Sequence, residues 1–185
     1  MKKLLALAVL AVASLGASAE GFYAGGSLGY MHDGKKNTNH MTIMPEIGYN
    51  ISSNWAVGTT IGYEYAHLCG YGISSNLFKF DPYARYTFFK SSNNLINLFV
   101  DGRIGLGLGW VSTEDDSSET AVTWNIGLRP GVAINITKRF SFVTHIGFFG
   151  YEGANDNAKA TGVYSNNGGF SLDGNDLTFG FYYNF

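Results

Sequence analysis

The sequence predicts an all-β fold, an eight-stranded antiparallel up-and-down transmembrane β-barrel, on three observations. Apolar residues recur with period two in eight successive segments. Beyond the N-terminal leader, no apolar run is long enough for a transmembrane helix. The connections between segments alternate short with long. Composition agrees, because Gly 25, Phe 14 and Tyr 12 form the mixture of glycine and aromatics found in barrel walls.

At the N-terminus, Lys2 and Lys3 precede an apolar run from Leu4 to Leu15 and the small-residue site Ala17-Ser18-Ala19. This is the pattern of a secretory signal peptide over residues 1–19, cleaved before Glu20, with residues 20–185 forming one outer-membrane β-barrel domain. No Cys follows the cleavage site, so no lipid anchor is expected. Loss of Lys2 and Lys3 lowers the 12 basic residues to 10 against 14 acidic ones, a formal charge of −4, and nucleic acid is not an expected partner. The single Cys69 leaves no intrachain disulfide and reads as a loop thiol.

The first strand sets Phe22, Ala24, Gly26, Leu28 and Tyr30 against Tyr23, Gly25, Ser27 and Gly29. The second sets Ile43, Pro45, Ile47, Tyr49 and Ile51 against Thr42, Met44, Glu46, Gly48 and Asn50. In the third, Trp55, Val57, Thr59, Ile61, Tyr63 and Tyr65 oppose Gly58, Thr60, Gly62 and Glu64. In the fourth, Phe78, Phe80, Pro82, Ala84, Tyr86 and Phe88 oppose Lys79, Asp81, Tyr83, Arg85 and Thr87. The fifth spans about Ile96 to Trp110, with Leu98, Val100, Ile104, Leu106 and Leu108 opposite Asp101, Arg103, Gly105, Gly107 and Gly109. The sixth places Val122, Trp124, Ile126, Leu128, Pro130 and Val132 opposite Thr123, Asn125, Gly127, Arg129 and Gly131. The seventh, about Phe140 to Tyr151, is apolar on both faces, and Phe142, Thr144, Ile146 and Phe148 are expected to face outward. The eighth alternates Leu177, Phe179, Phe181, Tyr183 and Phe185 with Asp176, Thr178, Gly180, Tyr182 and Asn184.

Connections 52–54, 90–94 and 137–139 are short, whereas 32–40, 67–76, 112–120 and 152–175 are longer and polar, as periplasmic turns and outer loops should be. The fourth loop, rich in Gly, Asn and Ser, is expected to be mobile unless a partner orders it. Pro45, Pro82 and Pro130 stand against the assignment, since each removes a ladder hydrogen bond and is tolerated only near strand ends or bulges.

The faces opposite the apolar ones decide what buries the latter. They are small or polar and carry both signs of charge near mid-strand: Glu46, Glu64, Lys79, Asp81, Arg85, Asp101, Arg103 and Arg129. Balanced charge facing a narrow lumen can pair with itself, and closure leaves no unpaired edge in hydrocarbon. An eight-stranded barrel is about filled by its own side chains, so these groups are expected to form a structural network in the lumen. Tyr30, Tyr49, Trp55, Tyr65, Phe88, Trp110, Trp124 and Phe185 fall at strand ends, where interfacial girdles lie.

The leader, the eight alternating segments, the Gly-aromatic strands and the terminal Phe181-x-Tyr183-x-Phe185 together resemble the small outer-membrane barrels of the OmpA/OmpX type, a porin-family-like architecture of Gram-negative bacteria. The resemblance covers the chain after the leader. It implies outer-membrane localisation and an assembly signal, Phe181, Tyr183 and Phe185, read by the barrel-assembly machinery. The chain departs from the full OmpA pattern in ending at the barrel, so no peptidoglycan-binding domain is expected.

No constellation points to chemistry. Gly105-Leu106-Gly107-Leu108-Gly109 looks like a nucleotide-binding glycine loop but is followed by no helix. His32, His40, His67 and His145 lack metal-ligand spacing and read as surface histidines. Some eight-stranded barrels modify lipid A, but Ser141 and His145 lie roughly 13 Å apart by strand rise, too far for proton transfer. Catalytic, cofactor-binding and metal residues are therefore not expected. Glu114, Asp115, Asp116 and Glu119 in the third loop and Asn155, Asp156, Asn157, Asp173 and Asp176 around the fourth could bind calcium or bridge to lipopolysaccharide phosphate. Solvated loop charge is the simpler account. The sequence thus predicts a non-enzymatic outer-membrane barrel that supports the envelope, contacts outer-membrane lipid and lipopolysaccharide, and presents loops to an extracellular ligand for interaction or adhesion. The alternatives are a narrow pore for ions or small solutes and a lipid A-modifying enzyme.

Overall fold

The structure, a computed structural model, describes residues 21–34, 37–113, 118–159, 164–171 and 178–185. Among the described residues its strands are β1 (Phe22–Asp33), β2 (Thr38–Asn50), β3 (Trp55–Leu68), β4 (Ile73–Lys90), β5 (Ile96–Ser112), β6 (Ser118–Asn135), β7 (Phe140–His145), β8 (Phe148–Ala154), β9 (Asn167–Ser171) and β10 (Thr178–Asn184), with a short helix, α1 (Asp156–Lys159). All pairings are antiparallel, and β1–β10 and β5–β6 contacts close the sheet into a barrel. β7 continues into β8 as the seventh wall strand, while β9 and β10 pair with β8 and β7 as the eighth. The fold is therefore the eight-stranded up-and-down barrel that the period-two pattern predicts.

The alternation decides which side chains meet lipid. Leu28 (74% exposed), Ile61, Phe80, Ile104, Leu106, Ile126 and Phe181 all stand on the outer surface, an apolar belt that a water-soluble protein would have to cover. No helix among the described residues is long and apolar enough to cross a membrane, whereas a closed sheet with an apolar exterior leaves no backbone group unpaired in hydrocarbon. Aromatic pairs collar the belt at the end carrying both barrel termini: Phe22–Tyr49 (4.7 Å between ring centroids), Trp55–Tyr86 (4.8 Å) and Phe140–Tyr183 (5.1 Å). At the other end Trp124 stacks on Tyr151 at 5.3 Å.

Three expectations need correction. First, the strands run well into segments read as outer loops, leaving only 34–37, 69–72 and 113–117 between β1 and β2, β3 and β4, and β5 and β6. These are no longer than the opposite turns 51–54, 91–95 and 136–139, so short and long connections do not alternate, and only the fourth outer connection is long. The polar residues His67, Ser74, Ser75 and Asn76 had read as loop because they stand above the apolar belt, yet their backbones remain laddered, as in Ala66↔Ser75.

Second, the seventh strand changes face part-way. Phe142 packs on Phe179 and Phe181 outside, but Phe148, expected outside, is 9% exposed and points inward, while Phe149 is 56% exposed. The break is at Ile146-Gly147, where Gly147 has φ +77°. Pairing with β6 goes from Gly131↔His145 to Leu128↔Phe149, so three residues of the seventh strand oppose two of β6. One extra residue in a period-two strand exchanges inside for outside.

Third, the prolines sit in mid-strand. Each stands where the ladder to the following strand is interrupted and the ladder to the preceding one is not. β2–β3 pairing skips Met44 and Pro45, β4–β5 pairing skips Asp81 and Pro82, and Arg129 and Pro130 pair with neither β7 nor β8. Meanwhile Pro45↔Gly26, Pro82↔Thr59 and Pro130↔Val100 remain in register. A strand residue directs its N–H and C=O to one neighbour only, so a proline disturbs one side and spares the other.

Candidate functional site

The inward faces of β1 to β7 and β10 converge on a polar core in place of a water channel. At its centre Asp101, 0% exposed, accepts two hydrogen bonds from Arg85, Nε to Oδ1 at 2.7 Å and Nη2 to Oδ2 at 2.8 Å. The register Arg85↔Asp101↔Arg129 aligns these three residues across β4, β5 and β6. Nη2 of Arg85 also reaches Oε1 of Glu46 at 3.4 Å. Glu46 accepts from the hydroxyls of Tyr83 and, at 2.7 Å, Tyr182, and the Tyr23 and Tyr83 hydroxyls lie 2.6 Å apart. The Arg85 guanidinium rests 4.0 Å from the Phe99 ring centroid. Burial of a charge in so narrow a space is tolerable only with this number of partners.

Towards the outer end, Glu64 gathers a second cluster. Lys79 Nζ lies 2.5 Å from Oε2 and His40 Nε2 3.2 Å from Oε1. The fourth outer connection completes it: Tyr164 donates its hydroxyl to Glu64 Oε1 at 2.6 Å and lies 3.4 Å from Ser75 Oγ. That connection was expected to be mobile, yet its described parts fold back into the mouth. Asn155 caps α1 by accepting from Ala158 N at 3.1 Å, accepts from Val122 N at 3.0 Å, and donates to Thr120 O at 2.8 Å. Ala158 is fully buried with Leu77, Val111, Ala121 and Ala154. An apolar lid thus covers the Glu64 cluster.

Between the clusters lie Asp81, Arg103 and Arg129. Arg103 donates to Thr60 Oγ1 at 2.8 Å. Gly105 and Gly107 leave the room this layer needs, because a Cβ on Gly105 would stand 2.1 Å from both Asp81 Oδ1 and Asn125 Nδ2. The glycine run is therefore the bare wall against which the polar side chains pack. At the inner end the lumen opens into a polar vestibule of about 100 Å³, floored by Arg85, Phe99 and Tyr182 and walled by Asn97, Asn135 and Asn184.

The structure places all eight residues of the expected charge network on inward-facing positions. It divides them into a Glu46–Arg85–Asp101 group, a Glu64–Lys79 group and an intervening layer. Sequence reasoning missed the phenols of Tyr23, Tyr83 and Tyr182, although a tyrosine on a polar face was a usable signal. It also misread two histidines. His145 is buried, with Nε2 donating to Asp101 at 2.9 Å, and His40 joins Glu64. His32 and His67 do lie at the outer rim, in register with Asn39 on either side. No sequence signal could link His145 to Asp101, because the barrel must close before they meet.

Asp101, His145 and Thr178 follow the order of an acid, a base and a hydroxyl. The Thr178 Oγ1 to His145 Nδ1 separation is 3.4 Å, however, and the adjoining crevice measures about 10 Å³, room for roughly one water. Ser141, the other hydroxyl considered, donates to Asn135 instead. Glu114, Asp115, Asp116, Asp173 and Asp176 lie outside the described residues, whereas Asp156 is exposed and bound to Lys159 at 3.1 Å. Of the assembly signal, Phe181 faces lipid on β10, and Tyr183 packs against Phe140 and Phe185 in the inner collar.

A closed wall with an apolar exterior and a self-paired polar interior defines an integral membrane β-barrel. The profile of the outer membrane protein beta-barrel domain matches residues 4–185, and the chain belongs to that family, which places it in the bacterial outer membrane. Solved structures of similar fold include the following two. One is the N-terminal β-barrel domain of Pseudomonas aeruginosa OprF, at 13% identity and TM-score 0.52, covering 90% of this chain and 98% of that one. The other is Neisserial surface protein A (NspA), at 15% identity and TM-score 0.53 with the same coverage of 90% and 98%. No curated protein is detectably similar to the chain in sequence.

Proposed function

We propose that this protein is a non-enzymatic, non-conducting structural barrel of the outer membrane whose outer end serves interaction or adhesion. The observation that carries this reading is the continuous filling of the lumen: the Arg85–Asp101–Glu46 group with its three phenols, then the Asp81–Arg103 layer, then the Glu64 cluster under the Tyr164 lid. Such side chains hold the wall strands at fixed distances, and breaking one buried pair costs about 3–5 kcal/mol. Residues 1–19 act as a cleaved export signal, and Phe181, Tyr183 and Phe185 present the assembly signal to the barrel-assembly machinery. Outside, the rim meets lipopolysaccharide, and the outer connections meet an extracellular ligand.

The test is planar-bilayer recording on the purified, refolded chain. The filled lumen predicts no unitary conductance above the bilayer background. Reproducible channels would favour the pore reading and remove the carrying observation.

A further inference from the structure

The exposed cations with described positions cluster at the inner end of the barrel. Lys90 ends β4, while Lys138 and Arg139 lie in the β6–β7 turn, and all three are exposed. Connections 51–54, 91–95 and 136–139 contain no acidic residue. The exposed described acids Glu119, Glu152 and Asp156 lie at the opposite end, and there Lys159 is tied to Asp156.

These cations sit directly below lipid-facing rings. A β-bulge between Thr87 and Phe89 lets consecutive residues Phe88 (56% exposed) and Phe89 (49%) both face outward before Lys90. Arg139 is followed by Phe140, also outward. The turns form one platform, because Asn135 donates its side-chain amide to Asn94 O at 2.7 Å and its backbone N–H to Leu95 O at 2.8 Å, while the Lys90 ammonium bonds Ser53 O. A lysine or arginine whose stem lies along apolar rings keeps its charge at headgroup depth.

We propose that this aromatic-backed cationic rim binds the anionic headgroups of phospholipids in the inner leaflet of the outer membrane and fixes the depth of the barrel there. Charge complementarity selects the partner: three exposed cations, which form no ion pair among the described residues and meet only the C-terminal carboxylate of Phe185 at that end, leave a net positive rim facing a headgroup layer, and each cation near an anionic surface strengthens the attraction. The assignment rests on the orientation used above, with the three turns in the periplasm.

The experiment folds the full chain into vesicles of equal phosphatidylglycerol and phosphatidylcholine and measures the lipid retained on the barrel by native mass spectrometry. Phosphatidylglycerol should be enriched roughly tenfold, the enrichment should vanish in K90Q/K138Q/R139Q and in about 1 M salt, and K159Q should retain it. If the triple variant does not fold, each single Gln variant must show a partial loss. Equal retention of the two lipids by wild type, or enrichment unchanged by the Gln substitutions, overturns the proposal. Equal lipid retention with Gln-sensitive binding of soluble anionic cell-wall glycan overturns it in favour of a polymer partner. The readout does not depend on which end faces the periplasm. Protease access to connection 155–171 on intact cells tests the orientation separately.

Discussion

Replacement of Asp101 by Asn gives the most direct test of the lumen as a structural unit. The substitution keeps the shape of the side chain but removes its charge and one of its acceptors. Arg85 then loses a bond at 2.7 or 2.8 Å, and its remaining carboxylate partner, Glu46, is 3.4 Å away. Where the amide nitrogen takes the place of Oδ2, His145 also loses its acceptor at 2.9 Å. Stranding a buried guanidinium in this way costs about 3–5 kcal/mol, a large part of the roughly 5–15 kcal/mol by which a folded domain is stable. In urea titration of the micelle-bound barrel, with the folded fraction read from the unboiled band on a heat-modifiability gel, the midpoint should fall by roughly 2 M for an m-value near 2 kcal/mol/M. The variant R85Q should be similarly damaged, and R85Q/D101N should lose markedly less than the two single losses combined, because the second substitution removes the charge that the first one strands. A D101N barrel within about 0.5 kcal/mol of wild type, or strict additivity in the double variant, would refute the argument that these residues form one coupled network.

Other expectations follow from particular contacts. Y164F removes the hydroxyl that reaches Glu64, so protease should cut connection 155–171 at least several-fold faster; unchanged cutting would mean that the α1 packing alone holds the lid. A tryptophan at position 149 should be quenched by lipids carrying a quencher near the bilayer centre, whereas one at position 148 should not; equal quenching would contradict the face change at Gly147. Deletion of Phe185 should remove the heat-modifiable barrel from outer-membrane fractions, and normal membrane levels of the deletion would dismiss the assembly role of the C-terminal aromatics.

The wall of the barrel was legible in the sequence because its rule is local. A period-two strand between lipid and a narrow lumen must alternate, and Phe179, Phe181 and Tyr183 alternate with Gly180 and Tyr182 whatever the rest of the chain does. The residues of the charge network could likewise be named from parity alone. Strand length, by contrast, could not be read where polar Ser74 and Ser75 continue a ladder above the apolar belt, since hydrogen bonding of the backbone leaves no trace in side-chain polarity. Nor could parity survive Gly147, where one inserted residue returns Phe148 to the lumen. The partners within the lumen were set only by closure: Tyr182 meets Glu46 across 136 positions of sequence and Tyr164 meets Glu64 across 100. Local periodicity determined which side chains face inward, but the stagger of the closed sheet decided which of them stand at the same height and can bond.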